Sequence, residues 1–174
     1  LLHQFLSPLS NQRTDIYGGS LENRARLLVE IVISIRAAIG DDLPLAVRFS
    51  ATDWIEGGWT EADTALVAQW CIDAGADLFD ISTAGLSTAQ KIAVGPGFQV
   101  PFAEYVGEKV DAPVAAVGMI TTGTQAEEIL QKGIVDVVMI GRAALGDPYW
   151  PIRAAKELGA EIDYLPKRYK RAIF

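Results

Sequence analysis

The chain has 174 residues, half of them hydrophobic, with 16 glycines and 8 prolines, a soluble globular composition whose length suits one domain with a real core. A net charge of −7 argues against the basic stripe that a nucleic-acid surface needs, and no stretch approaches the ~20 apolar residues of a membrane span. The single cysteine, Cys71, rules out an internal disulfide framework, no basic signal-peptide region is visible, and a reducing cytoplasm is the expected compartment. Leu1 to Gln4 carry no initiator Met and no start signal, so the opening reads like the middle of a longer sequence.

After residue 20 a regular alternation begins. The Ser20 side chain caps a helix, along which Leu27, Leu28, Ile31, Ile35 and Ala38 recur at helical spacing until Gly40 stops it. Leu43 to Ser50 is a short apolar run that reads as a strand. Thr60 caps a second helix over 61–74, Glu61 and Asp63 suit its first turn, and Gly75 ends it. Leu78 to Ser82 is the second strand. A loop around Gly95, Pro96 and Gly97 leads to a third helix at about 101–110. Val114 to Val117 is the third strand, and Gly118 follows it. Thr122 or Thr124 caps a helix carrying Ala126, Ile129 and Leu130, which Gly133 ends. Val135 to Ile140 is the fourth strand, and Asp147 and Pro148 open a last helix over 148–158. Such alternation implies a parallel sheet covered on its outer face. A doubly wound sheet and a barrel both satisfy it, and a whole barrel needs eight units and ~250 residues. No linker or low-complexity tract divides residues 1–174, which read as a single unit.

In parallel α/β folds the site lies at the C-terminal strand ends. The candidates there are Arg48, Ser50, Asp80, Ser82, Gly118, Gly141 and Arg142. Arg48 interrupts an apolar strand, and a guanidinium in that setting needs an anionic or carbonyl partner. It is either a ligand clamp or half of an ion pair, for example with Asp80. Glycines just past two adjacent strands, Gly118 and Gly141, let backbone N–H groups approach a phosphate, and Arg142 adds a charged fork. The alternative is that these glycines only make tight turns. Cys71 reads as a small buried hydrophobe and His3 as a surface or loop histidine. No residue set has metal-ligand spacing. Asp15, Glu22 and Asp53 read as cap or loop-ordering groups.

Residues 1–26, LLHQFLSPLSNQRTDIYGGSLENRAR, resemble the segment after the fourth strand in the old yellow enzyme family. The Gln-Phe-Leu-Ser-Pro run is present. So is every element of the signature Asn-x-Arg-x-Asp-x-Tyr-Gly-Gly-Ser-x-x-Asn-Arg-x-Arg, from Asn11 to Arg26. The resemblance continues through VRFSATDW (47–54), AVGMIT (116–121), AEEIL (126–130), IGRAALGDPYWP (140–151) and the tail. It covers the whole chain, and the ending is most similar to the bacterial thermophilic-like branch.

The resemblance implies the C-terminal half of a (β/α)8 TIM barrel: about four βα units, strands 5–8, with residues 1–20 as the loop after barrel strand 4. It implies FMN as cofactor. Arg48 would contact the flavin ring near N1 and the C2 carbonyl, and Val117, Gly118, Gly141 and Arg142 match the phosphate-binding segments. Residues 160–174 form a tail whose Arg171 matches the arginine that reaches a neighbouring subunit's active site on the substrate side, which implies a homo-oligomer. In the family reaction NADPH or NADH reduces FMN, which then reduces the C=C bond of an enone or enal. The family's His pair and tyrosine, which orient and protonate the substrate, lie upstream of residue 1, and His3 matches neither. Activity is therefore expected only with the N-terminal half of the barrel, and the expected partner is that half or a second copy of this chain. Two other readings remain: a catalytically silent, self-associating half-barrel scaffold, and another FMN barrel such as a dienoyl-CoA reductase-like enzyme, against which the absence of a four-cysteine motif counts.

Overall fold

The computed structural model describes residues 1–168. In chain order they form α1 (Leu2–Leu6), α2 (Leu21–Ile39), β1 (Ala46–Ser50), α3 (Glu61–Asp73), β2 (Leu78–Ser82), α4 (Val100–Gly107), β3 (Val114–Val117), α5 (Gly123–Leu130), β4 (Val137–Met139), α6 (Arg142–Gly146) and α7 (Trp150–Glu157). The strands pair in the order β1-β2-β3-β4, each parallel to the next. Four parallel strands alternating with helices are the α/β arrangement expected from the sequence.

The helices start where hydroxyl side chains can cap them. Ser20 Oγ accepts from Asn23 N, Thr122 Oγ1 accepts from Gln125 N, and Thr60 forms a full capping box with Asp63. Each satisfies backbone donors that a helix leaves unpaired in its first turn. Gly40 adopts φ 72° at the C-cap of α2, a left-handed conformation that glycine reaches without penalty.

Neighbours in register on a parallel sheet share a face. Val47, Phe49, Phe79, Ile81, Val114 and Ala116 point to the helices and are buried. They pack with Leu28 and Val32 of α2, Val67, Ala68 and Cys71 of α3, and Ala103 and Val106 of α4. Cys71 is a buried hydrophobe as expected, and burial pushes its thiol up to about 12. The opposite, inner face carries Arg48, Asp80, Ala115 and Val137 in one row, with Ser50 and Ser82 one row up and Val117 and Met139 paired beyond. It is partly open, with Val137 and Met139 about four-tenths exposed (44% and 40%). Among the described residues the outer edges of β1 and β4 have no strand partner.

Several expectations shift. Residues 1–20 are not all loop, because α1 forms inside them and buries Leu6. The apolar stripe of α2 that reaches the core is Ala25, Leu28 and Val32. Ile31 and Ile35, which the periodicity assigned to it, line a cleft of about 170 Å³ along the unpaired edge of β1, with Leu2 and Leu6. Among the described residues β1 has no strand partner on that side, so the stripe is wider than the core it meets here. β4 is shorter than the apolar run around it. The short helix α6 has no sequence signal of its own.

Candidate functional site

The inner face and the loops above the strands' C-terminal ends bring together most of the predicted residues. Arg48 and Asp80 are register partners on β1 and β2. Arg48 Nη1 donates to Asp80 Oδ2 at 2.5 Å, so the ion-pair alternative for Arg48 exists in the structure. The pair is asymmetric: the Arg48 side chain is 56% exposed and the Asp80 side chain 10%. Asp80 Oδ1 is buried and has no hydrogen-bond partner. An ion pair therefore does not use up Arg48, whose side chain stays more than half exposed.

Above this row, a residue that the sequence reading passed over joins two strand ends. Gln99, at the N-cap of α4, is buried. Its Oε1 accepts from Thr83 N at 2.7 Å, Thr83 Oγ1 at 2.8 Å and Ser82 Oγ at 3.2 Å, while Nε2 donates to the Val117 carbonyl at 3.3 Å. The available signal was a lone amide between Phe98 and Val100, just after Gly95-Pro96-Gly97. Gly118 sits against this amide. Its φ is 132°, and a Cβ there would lie 3.0 Å from Gln99 Cβ, so this strand end needs glycine for both conformation and space.

Val117 pairs with Met139, so Gly118 and Gly141 follow adjacent strands by one and two residues. Gly141 is the N-cap of α6, makes no side-chain cap bond, and has open space on its Cβ side. Arg142 begins α6 and is exposed. The N-terminus of α5, by contrast, is filled: Glu157 accepts from Gly123 N, Thr124 N and Thr124 Oγ1. A second anion would meet a carboxylate there, which leaves Gly118, Gly141 and Arg142 as the candidate phosphate segments.

Backbone strain gathers at the same end. Among the described residues the non-glycine residues with positive φ are Trp54, Ala84 and Met119, one after each of the first three strands. Such outliers persist where surrounding structure enforces them and cluster at binding sites. Trp54 packs edge-on against Phe102 with centroids 5.1 Å apart, and its Nε1 is buried without a partner.

His3 is not the surface or loop histidine expected. Its Nε2 lies 2.7 Å from Asp53 Oδ1, and its ring stands edge-on to Trp59. Asp53 is fully buried and also accepts from Ser7 Oγ and Trp59 N. It orders the loop after β1, as the sequence suggested. Ser7 reaches Asp53 and not His3, so the cluster has the wiring of a clasp and lacks the serine–histidine contact of a nucleophilic triad. Among the described residues no three His, Cys, Asp or Glu gather as a metal-ligand set. Arg171 lies outside the described residues.

The donor set fits a flavin mononucleotide. An exposed guanidinium on an inner barrel face suits a ring carbonyl and developing negative charge. Glycine-lined N–H groups beside an arginine at a short helix's start suit a phosphate.

Comparison with known proteins gives the same direction. The profile of the NADH:flavin oxidoreductase / NADH oxidase family matches residues 1–161. An NADPH dehydrogenase of Halalkalibacterium halodurans is 48% identical over 172 residues, which cover 99% of this chain and 50% of that protein. An NADPH dehydrogenase of Bacillus subtilis is 49% identical over 171 residues, 98% of this chain and 49% of that protein. The chain thus spans about half the length of these relatives. Among solved structures, a 2-naphthoyl-CoA reductase complex superposes with a TM-score of 0.81 at 34% identity, covering 92% of this chain and 25% of that one. The old yellow enzyme homologue from Zymomonas mobilis, at 24% identity, shares the fold with a TM-score of 0.71 over 95% of this chain and 46% of its own. A profile match over nearly the whole chain, with four parallel strand units that superpose on part of an eight-stranded barrel, places this chain in the NADH:flavin oxidoreductase / NADH oxidase family, the family of the old yellow enzymes.

Proposed function

We propose that this chain, within a complete eight-unit barrel, serves an FMN-dependent NADPH or NADH dehydrogenase that reduces the C=C bond of α,β-unsaturated carbonyl compounds. The observation that carries the reading is the Arg48 guanidinium, tied by one nitrogen and open on the inner face, below the glycine strand ends at Gly118 and Gly141. The relatives named NADPH dehydrogenase support it, as they align with 98–99% of the chain.

Bound FMN supplies a reversible hydride acceptor and donor. Arg48 would hold the ring near N1 and the C2 carbonyl and place positive charge where reduction adds negative charge. Val117, Gly118 and Gly141 would offer backbone to the phosphate, with Arg142 as its counter-charge. Gln99 would keep the Gly118 backbone in place. The donors that orient and protonate the substrate belong to the other half of the barrel. We assign Arg171 to the substrate side of a neighbouring subunit's site, which makes the working protein a homo-oligomer, and we place it in the cytoplasm.

One observation favours a second reading. A 2-naphthoyl-CoA reductase complex superposes on this chain with a TM-score of 0.81 at 34% identity, so an aryl- or enoyl-CoA thioester, itself an unsaturated carbonyl compound, is the alternative substrate.

The test begins with FMN titration of the chain, alone and combined with an N-terminal barrel half, by fluorescence quenching, with mass measured in solution. Turnover of NADPH with a simple enone and with an enoyl-CoA then separates the two substrates. Arg48→Ala should weaken FMN binding or lower the flavin potential in the complete barrel. Unchanged affinity and potential would remove Arg48 from the site, and no flavin binding with both halves present would favour the silent scaffold.

A further inference from the structure

Asp80 is a buried carboxylate with one partner. Oδ2 accepts from Arg48 Nη1 at 2.5 Å, and Oδ1 is buried with none. Burial of a charge without full hydrogen bonding is costly, and proteins keep such groups where they serve a purpose. The register places Asp80 directly beside Arg48 on the same face. The exposures divide the labour: Asp80, 10% exposed, is fixed in the sheet, while Arg48, 56% exposed, projects from it. Among the described residues Nε and Nη2 of Arg48 donate to nothing. A long arginine side chain loses much rotamer freedom when held in one geometry, and Asp80 imposes that geometry before any ligand arrives.

We propose that Asp80 is a positioning residue for Arg48. It pins the guanidinium through Nη1, leaves Nε and Nη2 directed at the flavin, and its negative charge offsets part of the positive charge that the flavin feels. This rests on the reading of Arg48 as a flavin contact. The buried carboxylate then sets the flavin's reduction potential from behind the arginine.

The two charges predict shifts of opposite sign. Asp80→Asn keeps the volume and an oxygen that accepts from Nη1 but removes the negative charge. The anionic reduced flavin is then better stabilised and the potential rises. Arg48→Ala removes the positive charge and lowers it. A change of roughly tenfold in the reduced-to-oxidised ratio at fixed potential corresponds to ~30 mV for a two-electron couple, which dye equilibration resolves. Asp80→Ala removes the anchor as well, so FMN should dissociate more readily from it than from Asp80→Asn.

The measurement is the flavin potential and FMN dissociation constant of the intact barrel and the three variants, with circular dichroism to establish that each is folded. A raised potential in Asp80→Asn with a lowered one in Arg48→Ala supports the inference. A lowered potential in Arg48→Ala with none or a downward shift in Asp80→Asn overturns it while leaving Arg48 in the site. No effect of Arg48→Ala on potential or affinity overturns the underlying reading, and this inference with it. Should Asp80→Asn fail to fold, Asp80→Glu decides. A retained carboxylate with displaced anchoring should weaken FMN binding, and wild-type affinity would count against positioning.

Discussion

At the scale of single residues, the mouth of this half-barrel depends on atoms that allow no substitute. Gly118 combines a φ of 132° with a close approach to Gln99. Gly118→Ala should cost about 1–3 kcal/mol, the range for a residue forced into sparsely populated backbone space. It should also weaken FMN binding, measured by urea denaturation and flavin titration of one preparation. Wild-type stability would mean that the strand end can shift to accept a methyl. Asp53 offers a test in pH. Burial raises its pKa, but donors from His3, Ser7 and the Trp59 backbone outweigh this and hold it below the ordinary carboxylate range. A depressed folded-state pKa gives stability that is complete above the unfolded value near pH 4, and that is lost as pH falls through the folded value. Asp53→Asn should therefore lower the melting temperature at neutral pH and flatten its decline below about pH 4. An unchanged acid slope would show that other carboxylates dominate.

At the scale of elements, α5 and α7 are joined by one carboxylate. Hydrogen bonds from the Thr124 hydroxyl, then from the Thr124 and Gly123 backbone, hold the Glu157 pKa below its usual value. In Glu157→Ala these two amides should lose hydrogen-exchange protection at neutral pH while the β2 amides keep theirs. Equal protection in both proteins would show that the helices pack without the cap. The same bonds fill the N-terminus of α5 with a carboxylate, which is why the proposed phosphate site does not use it. The proposal places the phosphate instead beside Gly141, which has no side-chain cap, as loops after the last strands hold phosphate in many barrels.

At the scale of the whole molecule, the sheet of the described residues has two edges without a strand partner and a partly open inner face. Exposed strand edges are templates for pairing. The chain alone should therefore sediment as a species larger than one copy, and mixing it with the first four units of a family barrel should convert it to a one-to-one complex. A stable monomer would mean that the edges are protected in a way the described residues do not reveal. The wide apolar stripe of α2, with Ile31 and Ile35 in the cleft beside β1, is the surface such a partner would cover.

Much of this was legible in the chain itself. Caps at Ser20 and Thr60, apolar runs at the strands, and glycines at helix ends are local signals, set by backbone hydrogen bonding within a few residues, so four strand–helix units followed from them. That Arg48 needs a partner was legible, because a charge inside an apolar strand demands one. Which partner it takes, and that Asp80 holds only one of its nitrogens, depends on β1–β2 register between residues 32 positions apart. The Gln99 hub, the His3–Asp53 clasp and the carboxylate filling the α5 N-terminus are likewise contacts between distant segments. Composition and periodicity carry no information on them, because such hydrogen bonds exist only once the sheet has brought the strand ends together. The sequence determined the elements and the family; the tertiary structure decided which polar groups pair with one another and which stay exposed at the strand ends.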